Sequence, residues 1–185
     1  MAQATASAAR GSGFWLVVAA ACISTFVVSY NSAAVVTALP AIRAGLDLGG
    51  EALQWVMNIY MLACAILIAV MGRFADIFGR LCMFLAGMAV FAVGSVSSSL
   101  AGDAAAILAG RASQGIGTAA IIATSAAIIS VATPEDKRAQ ALGIWIGTVA
   151  LAGGIGPLIG GTITELISWR AIFALDIALL AAAAL

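Results

Sequence analysis

Two apolar runs without a single charged residue, 53–71 and 81–100, flank the stretch Gly72-Arg73-Phe74-Ala75-Asp76-Ile77-Phe78-Gly79-Arg80. About 20 apolar residues let an α-helix cross a bilayer core, and runs this greasy are too long for the core of a soluble domain. The pattern therefore predicts two membrane-spanning helices joined by a tight charged turn. Glycines at both ends free the backbone to reverse, and Arg73, Asp76 and Arg80 would lie at headgroup level.

Composition extends that expectation to the whole chain. Of 185 residues, 64% are hydrophobic and 9% charged, with a mean hydropathy of +1.16, whereas a soluble domain carries about 25% charged residues. Net charge is zero and no acidic or basic tail is present, so nothing points to nucleic acid. Histidine is absent, which removes the Ser-His-Asp and Cys-His arrangements and the commonest metal ligand. Cys22, Cys64 and Cys82 are spaced too widely for a CxxC redox or zinc motif and read as small apolar side chains within helices. Gly154-Ile155-Gly156 begins like a dinucleotide fingerprint but lacks the third glycine and a preceding strand. These residues call for no enzyme activity and no cofactor.

Taken in order, residues 1–13 are rich in Ala, Ser and Gly with the single charge Arg10, and are expected to be disordered on the membrane surface. A first span covers 14–36, interrupted by Asn31 and closed by Pro40. A secretory signal competes for this run, but it exceeds the usual apolar core of about 7–15 residues and further spans follow. A short polar connection, 41–51, holds Arg43, Asp47 and Gly49-Gly50. The second span, 53–71, has Trp55 and Tyr60 near its start as expected interfacial aromatics. After the charged turn come the third span, 81–100, a Gly102-Asp103 turn, and the fourth span, 104–131, which carries Arg111. A solvated loop, 133–138, with a stop at Pro134 precedes the glycine-rich fifth span, 139–163. Residues 165–170 lead to a sixth apolar run, 171–185. That run would make about 22 Å of helix against a hydrocarbon core of about 30 Å, so a truncated chain is expected. The fold class is all-α and polytopic.

An amino terminus inside the cell puts Arg10, Arg73, Arg80, Lys137 and Arg138 in the cytoplasm and leaves Arg43 and Arg170 outside, as the positive-inside rule requires. The seven residues from Ala104 to Arg111 correspond to about 10 Å of helix, and Asn31 and Asp176 come to a similar depth when counted from the ends of their own spans. A charge in the bilayer core costs at least about 2.5 kcal/mol and marks a candidate site. Three polar side chains on three spans thus share one expected layer. In the fifth span, Gly143, Gly147 and Gly154 fall on one helical face, while Gly156 and Gly160 form a second small-residue ridge, so neighbouring backbones can approach. Pro157 removes a backbone hydrogen bond and is expected to bend that helix.

Several segments, in order, resemble the major facilitator superfamily of secondary transporters. Gly72-x-x-x-Asp76-x-x-Gly79-Arg80 resembles its loop signature between the second and third spans. Arg111-Ala112-Ser113-Gln114-Gly115-Ile116-Gly117-Thr118-Ala119 resembles its Arg-x-x-Gln-Gly-x-Gly-x-Ala segment, and Gly156-Pro157-Leu158-Ile159-Gly160-Gly161 its antiporter segment. Ala38-Leu39-Pro40 with Ile42, Gln54-Trp55-Val56 and Ser168-Trp169-Arg170-x-x-Phe173 add to the match. The set is most similar to fourteen-span drug:proton antiporters of the multidrug efflux type. That resemblance implies a six-helix half of a transporter, built as two inverted three-helix repeats. It implies a cavity lined by the first, second, fourth and fifth helices, with Gln114, Gly115 and Trp145 as lining candidates, and a cytoplasmic gate at Gly72, Arg73, Asp76, Gly79 and Arg80. It also implies a bend at Pro157 that seals the cavity against ion leak. Implied partners are small amphiphilic or cationic drug-like compounds, protons, the lipid bilayer, and either a carboxy-terminal half or a second copy. A non-transporting six-span interaction protein and a dimerising half-transporter are the alternatives.

The chain also departs from that family. The carboxylate usual in the first span, nine residues before the Ala-Leu-Pro proline, is here Asn31, which carries no proton at any useful pH. Asp176 stands where asparagine is common. One expectation is that the acid has moved and Asp176 pairs with Arg111, the cation favouring its charged form and desolvation opposing it. The other is that Asp176 faces the headgroups and coupling is lost. Ile77 and Leu81 replace residues often basic in the family, thinning the gate charge, and Asp76 is left to pair with Arg80 or Arg138.

Overall fold

A computed structural model describes the backbone of residues 2–183 and the side chains of residues 14–183. The tail expected to be disordered, 1–13, lies outside the residues described with side chains. The described chain forms six α-helices: α1 (Ala2–Leu46), α2 (Gly50–Phe78), α3 (Arg80–Ser99), α4 (Ala104–Ala132), α5 (Glu135–Leu166) and α6 (Arg170–Ala183). The first five are long and apolar enough to cross a membrane, α1 counted from Phe14.

The helices outrun the expected spans at most ends. Pro40 lies inside α1, which continues to Leu46. There Asp47 adopts a left-handed φ of 49°, and the Leu48 N–H reaches back to the Arg43 carbonyl at 3.1 Å, a pairing that closes the last turn. The expected connection 41–51 is thereby reduced to three residues. Thr133 and Pro134 alone separate α4 from α5, and the charges of 135–138 form the first turn of α5. Negative side chains are favoured at that position, since the free N–H groups of a first turn are partly positive.

The nine-residue turn at 72–80 is the largest correction. Helix α2 runs through Gly72, Arg73 and Asp76 to Phe78, and Arg80 already starts α3. Only Gly79 is non-helical, at φ 94°, a region that L side chains avoid. One glycine therefore performs the reversal.

The packing repeats in two halves. Helix α5 lies along α1 as α2 lies along α4, and α6 meets α1 as α3 meets α4, while α1 and α4 cross each other centrally. Exchanging the first three helices with the last three maps these pairs onto one another, as two three-helix repeats require. Buried residues make up 56% and 50% of the most apolar stretches of α1 and α4, but only 11% of those of α2 and α5. The core thus sits along α1 and α4, and α2 and α5 leave one side open.

Candidate functional site

Arg111 is wholly buried in α4. Its Nε donates to the Val56 carbonyl of α2 at 3.1 Å, and its Nη1 donates to Asn31 Oδ1 of α1 at 2.7 Å and to Gln114 Oε1 at 2.8 Å. Its guanidinium carbon lies 4.2 Å from the centre of the Tyr60 ring, an arrangement that places a cation on the electron-rich face of the phenol. Asp176 of α6 is equally buried. Its Oδ2 accepts from Asn31 Nδ2 at 2.7 Å, from Ser95 Oγ of α3 at 3.1 Å and from Gln114 Nε2 at 3.4 Å. Gln114 Nε2 also donates to Ser95 Oγ at 2.8 Å.

The layer expected at one depth is therefore a single network drawn from five helices. The direct Arg111–Asp176 pair is not formed: Asn31 stands between them, its oxygen facing the guanidinium and its amide the carboxylate. An amide can do this because it both accepts and donates, whereas a carboxylate in that position would only accept. The alternative in which Asp176 faces the headgroups is excluded by its complete burial. Arg111 Nη2 and Asp176 Oδ1 are buried without a partner. Charges out of water are tolerated when paired and hydrogen-bonded, and this pair has one unfilled position on each side.

Of the cavity-lining candidates, Gln114 belongs to this network and is fully buried. Gly115 is buried too, at the α2–α4 contact, where an added Cβ would come within 2.5 Å of the Tyr60 carbonyl oxygen. Only Trp145 is partly open, its indole Nε1 donating to Thr25 Oγ1 at 3.0 Å. The antiporter segment divides between two faces. Gly156 and Gly160 are buried against α1, where a Cβ at Gly160 would approach the Ala34 carbonyl oxygen at 2.5 Å, while Pro157 and Gly161 face away and α5 continues through the proline. Gly143, Gly147 and Gly154 meet no neighbouring helix.

At the expected gate, Asp76 is exposed, and its expected partners are engaged elsewhere. Arg80 Nη1 donates to the Ala127 carbonyl at 3.4 Å and Arg138 Nε to the Ser130 carbonyl at 2.9 Å. Those carbonyls belong to the last turns of α4, where the helix end is partly negative. Among the described residues, no group of three or more His, Cys, Asp or Glu is placed to hold a metal ion.

Sequence reasoning missed Ser95 and Tyr60. Tyr60 was expected at the membrane interface, yet it is 5% exposed, and its hydroxyl reaches the Val28 carbonyl and Thr118 Oγ1, both at 3.1 Å. A polar group in mid-span on α3 was the available signal for Ser95, masked by the serines that follow it.

A family model described as Major Facilitator Superfamily matches residues 21–185. An acurin A biosynthesis cluster transporter of Aspergillus aculeatus is 37% identical over 95% of this chain and 31% of its own length. A cephamycin export protein of Amycolatopsis lactamdurans is 37% identical over 85% of this chain and 32% of its own. A multidrug resistance protein of Mycobacterium tuberculosis is 36% identical over 82% of this chain and 28% of its own. The chain spans about a third of the length of the curated relatives it matches.

Proposed function

This chain belongs to the Major Facilitator Superfamily, a multi-pass membrane protein, and from that premise we propose that it is the amino-terminal bundle of a proton-driven exporter of small amphiphilic compounds. It works in the cell membrane with its amino terminus in the cytoplasm, beside a carboxy-terminal bundle that completes the cavity. The names of its relatives, export and drug-resistance proteins among them, support the reading. The observation that carries it is the buried layer in which Arg111 and Asp176 are opposed through Asn31. Replacing opposed buried charges by apolar residues of the same shape is often neutral or stabilising, so two such charges inside a membrane-spanning bundle point to a function.

The layer has the means to turn a proton into a change of packing. In its charged form Asp176 accepts three hydrogen bonds on Oδ2, and its unpartnered Oδ1 is where a proton can arrive. A protonated Asp176 no longer balances Arg111. The guanidinium is then a buried cation held only by the Asn31, Gln114 and Val56 oxygens and the Tyr60 ring. An unbalanced buried charge costs several kcal/mol, enough to favour a second arrangement of the bundle in which Arg111 is held more closely by its remaining partners. Asp176 is then the coupling acid in place of the family's first-span carboxylate, with Asn31 as the relay between acid and cation.

Full-length protein reconstituted in liposomes tests this. Drug addition to the wild type should release protons, and Asp176→Asn should still bind drug but release none. Proton release that persists in Asp176→Asn would reject Asp176 as the coupling group.

A further inference from the structure

A recess of about 310 Å³ opens between α1, α2 and α4, lined by Ser29, Ser32, Tyr60, Met61, Cys64 and Thr118 among others. Its polar groups are hydroxyls, a thiol and a phenol, and no charged side chain lines it. Arg111 is wholly buried and does not reach it, yet Arg111 lies against the Tyr60 ring at 4.2 Å. Tyr60 is therefore a shared wall, with the cation of the buried layer on its ring and the recess along its side.

The attachments of Tyr60 make it more than a partition. Its hydroxyl bonds the Val28 carbonyl on α1 and Thr118 on α4, both recess-lining residues. One turn earlier on the same helix, the Val56 carbonyl holds Arg111 Nε. Arg111 thus grips α2 at two points, Val56 and Tyr60, and the next turn of α2 supplies Met61, Cys64 and Ala65 to the recess. A shift of the guanidinium has to move the wall of the recess or break its contacts to it.

We propose that Tyr60 transmits between the buried Arg111–Asn31–Asp176 layer and a ligand-binding recess between α1, α2 and α4. The inference rests on the export reading for the identity of the ligand, but not for the coupling itself. The recess suits an amphiphile with an aromatic or aliphatic body and neutral hydrogen-bonding groups, which can lie on Met61 and the phenol and bond the serine hydroxyls. Loss of charge at Asp176 leaves Arg111 leaning harder on Tyr60 and the Val56 carbonyl, which draws α2 inward and closes the recess. By reciprocity, a ligand that wedges the recess open loosens Arg111 and favours the charged acid.

Cys64 reports on the recess directly. In membranes holding the full-length protein, the rate of N-ethylmaleimide modification at Cys64 is followed by mass spectrometry at one fixed pH. Asp176→Asn should slow it about fivefold or more, the lower end of typical coupling between sites. In a Tyr60→Leu background the same substitution should leave the rate unchanged. Tyr60→Phe keeps the ring under Arg111 and should retain the slowing. Phe14→Leu, a buried change near the start of α1 in an apolar cluster separate from that of Tyr60, should retain it as well. Slowing that survives in Tyr60→Leu overturns the proposal, and so does slowing lost equally in Phe14→Leu, since that would be general loosening. The assay needs no transport, so its outcome is separable from that of the proton-release experiment.

Discussion

The contact of α5 with α1 and that of α2 with α4 occupy equivalent places in the two three-helix repeats, yet they are built from different chemistry. Where α5 meets α1, Gly156 and Gly160 bring backbone against backbone, with Ala33, Ala34 and Thr37 opposite. Where α2 meets α4, Gly115 makes the same close approach to Tyr60, but Arg111 sits one turn away and bonds across to Val56. Apart from the hydrogen bond from Trp145 to Thr25, the first contact is close packing without a charge. The second adds to close packing a buried charge that shares a hydrogen-bond network with Asp176 of α6 through Asn31 and Gln114. On the coupling proposed above, duplicated architecture would let one copy act as a fixed joint while the other carries the signal.

The largest expected effect separates the two contacts outright. Arg111→Met should cost about 3–5 kcal/mol, because it strands Asp176 as an uncompensated buried charge. Combining it with Asp176→Leu should recover most of that loss, as read by denaturant unfolding in detergent. A double variant as unstable as the single one would mean that the arginine acts by packing, like the glycines of α5.

Next come the glycines themselves. Gly160→Ala and Gly115→Ala each press a methyl into a carbonyl oxygen, and overpacking of that kind costs about 1–3 kcal/mol. Their stabilities should fall alike, but only Gly115→Ala should alter Cys64 labelling, since only that contact holds Tyr60. Equal labelling changes in both would erase the distinction.

Smaller again is Tyr60→Phe, which removes the hydroxyl bonds to the Val28 carbonyl and Thr118 and should cost about 1 kcal/mol in the same unfolding measurement. The least effect is expected at Gly147→Ala on the open face of α5. A Cβ there meets nothing in this bundle, and alanine favours a helix over glycine by up to about 1 kcal/mol. A loss of stability at that position would show that the face is packed.

Much of this was legible in the sequence because a helix converts residue number into depth. Counting at 1.5 Å per residue placed Asn31, Arg111 and Asp176 in one layer, and they do form one network. Counting fixes depth and says nothing of rotation about the helix axis. In a soluble helix the apolar stripe supplies that rotation, but here lipid-facing and protein-facing surfaces are both apolar, so the stripe is faint. That is why the sequence does not show that Tyr60 and Gly115 both turn to the contact between α2 and α4. The same blindness hid which of the α5 glycines touch α1.

Sequence alone, then, determined that this chain is all helix, where most of its apolar spans lie, and that an arginine, an amide and an acid share a level within the bilayer. Tertiary structure decided that Asn31 comes between the charges, that Ser95 and Gln114 complete their hydrogen bonds, and that one glycine rather than nine residues turns α2 into α3. The reason is that hydropathy and helical rise act along the chain, whereas hydrogen-bond direction and backbone approach depend on how each helix is rotated against its neighbours.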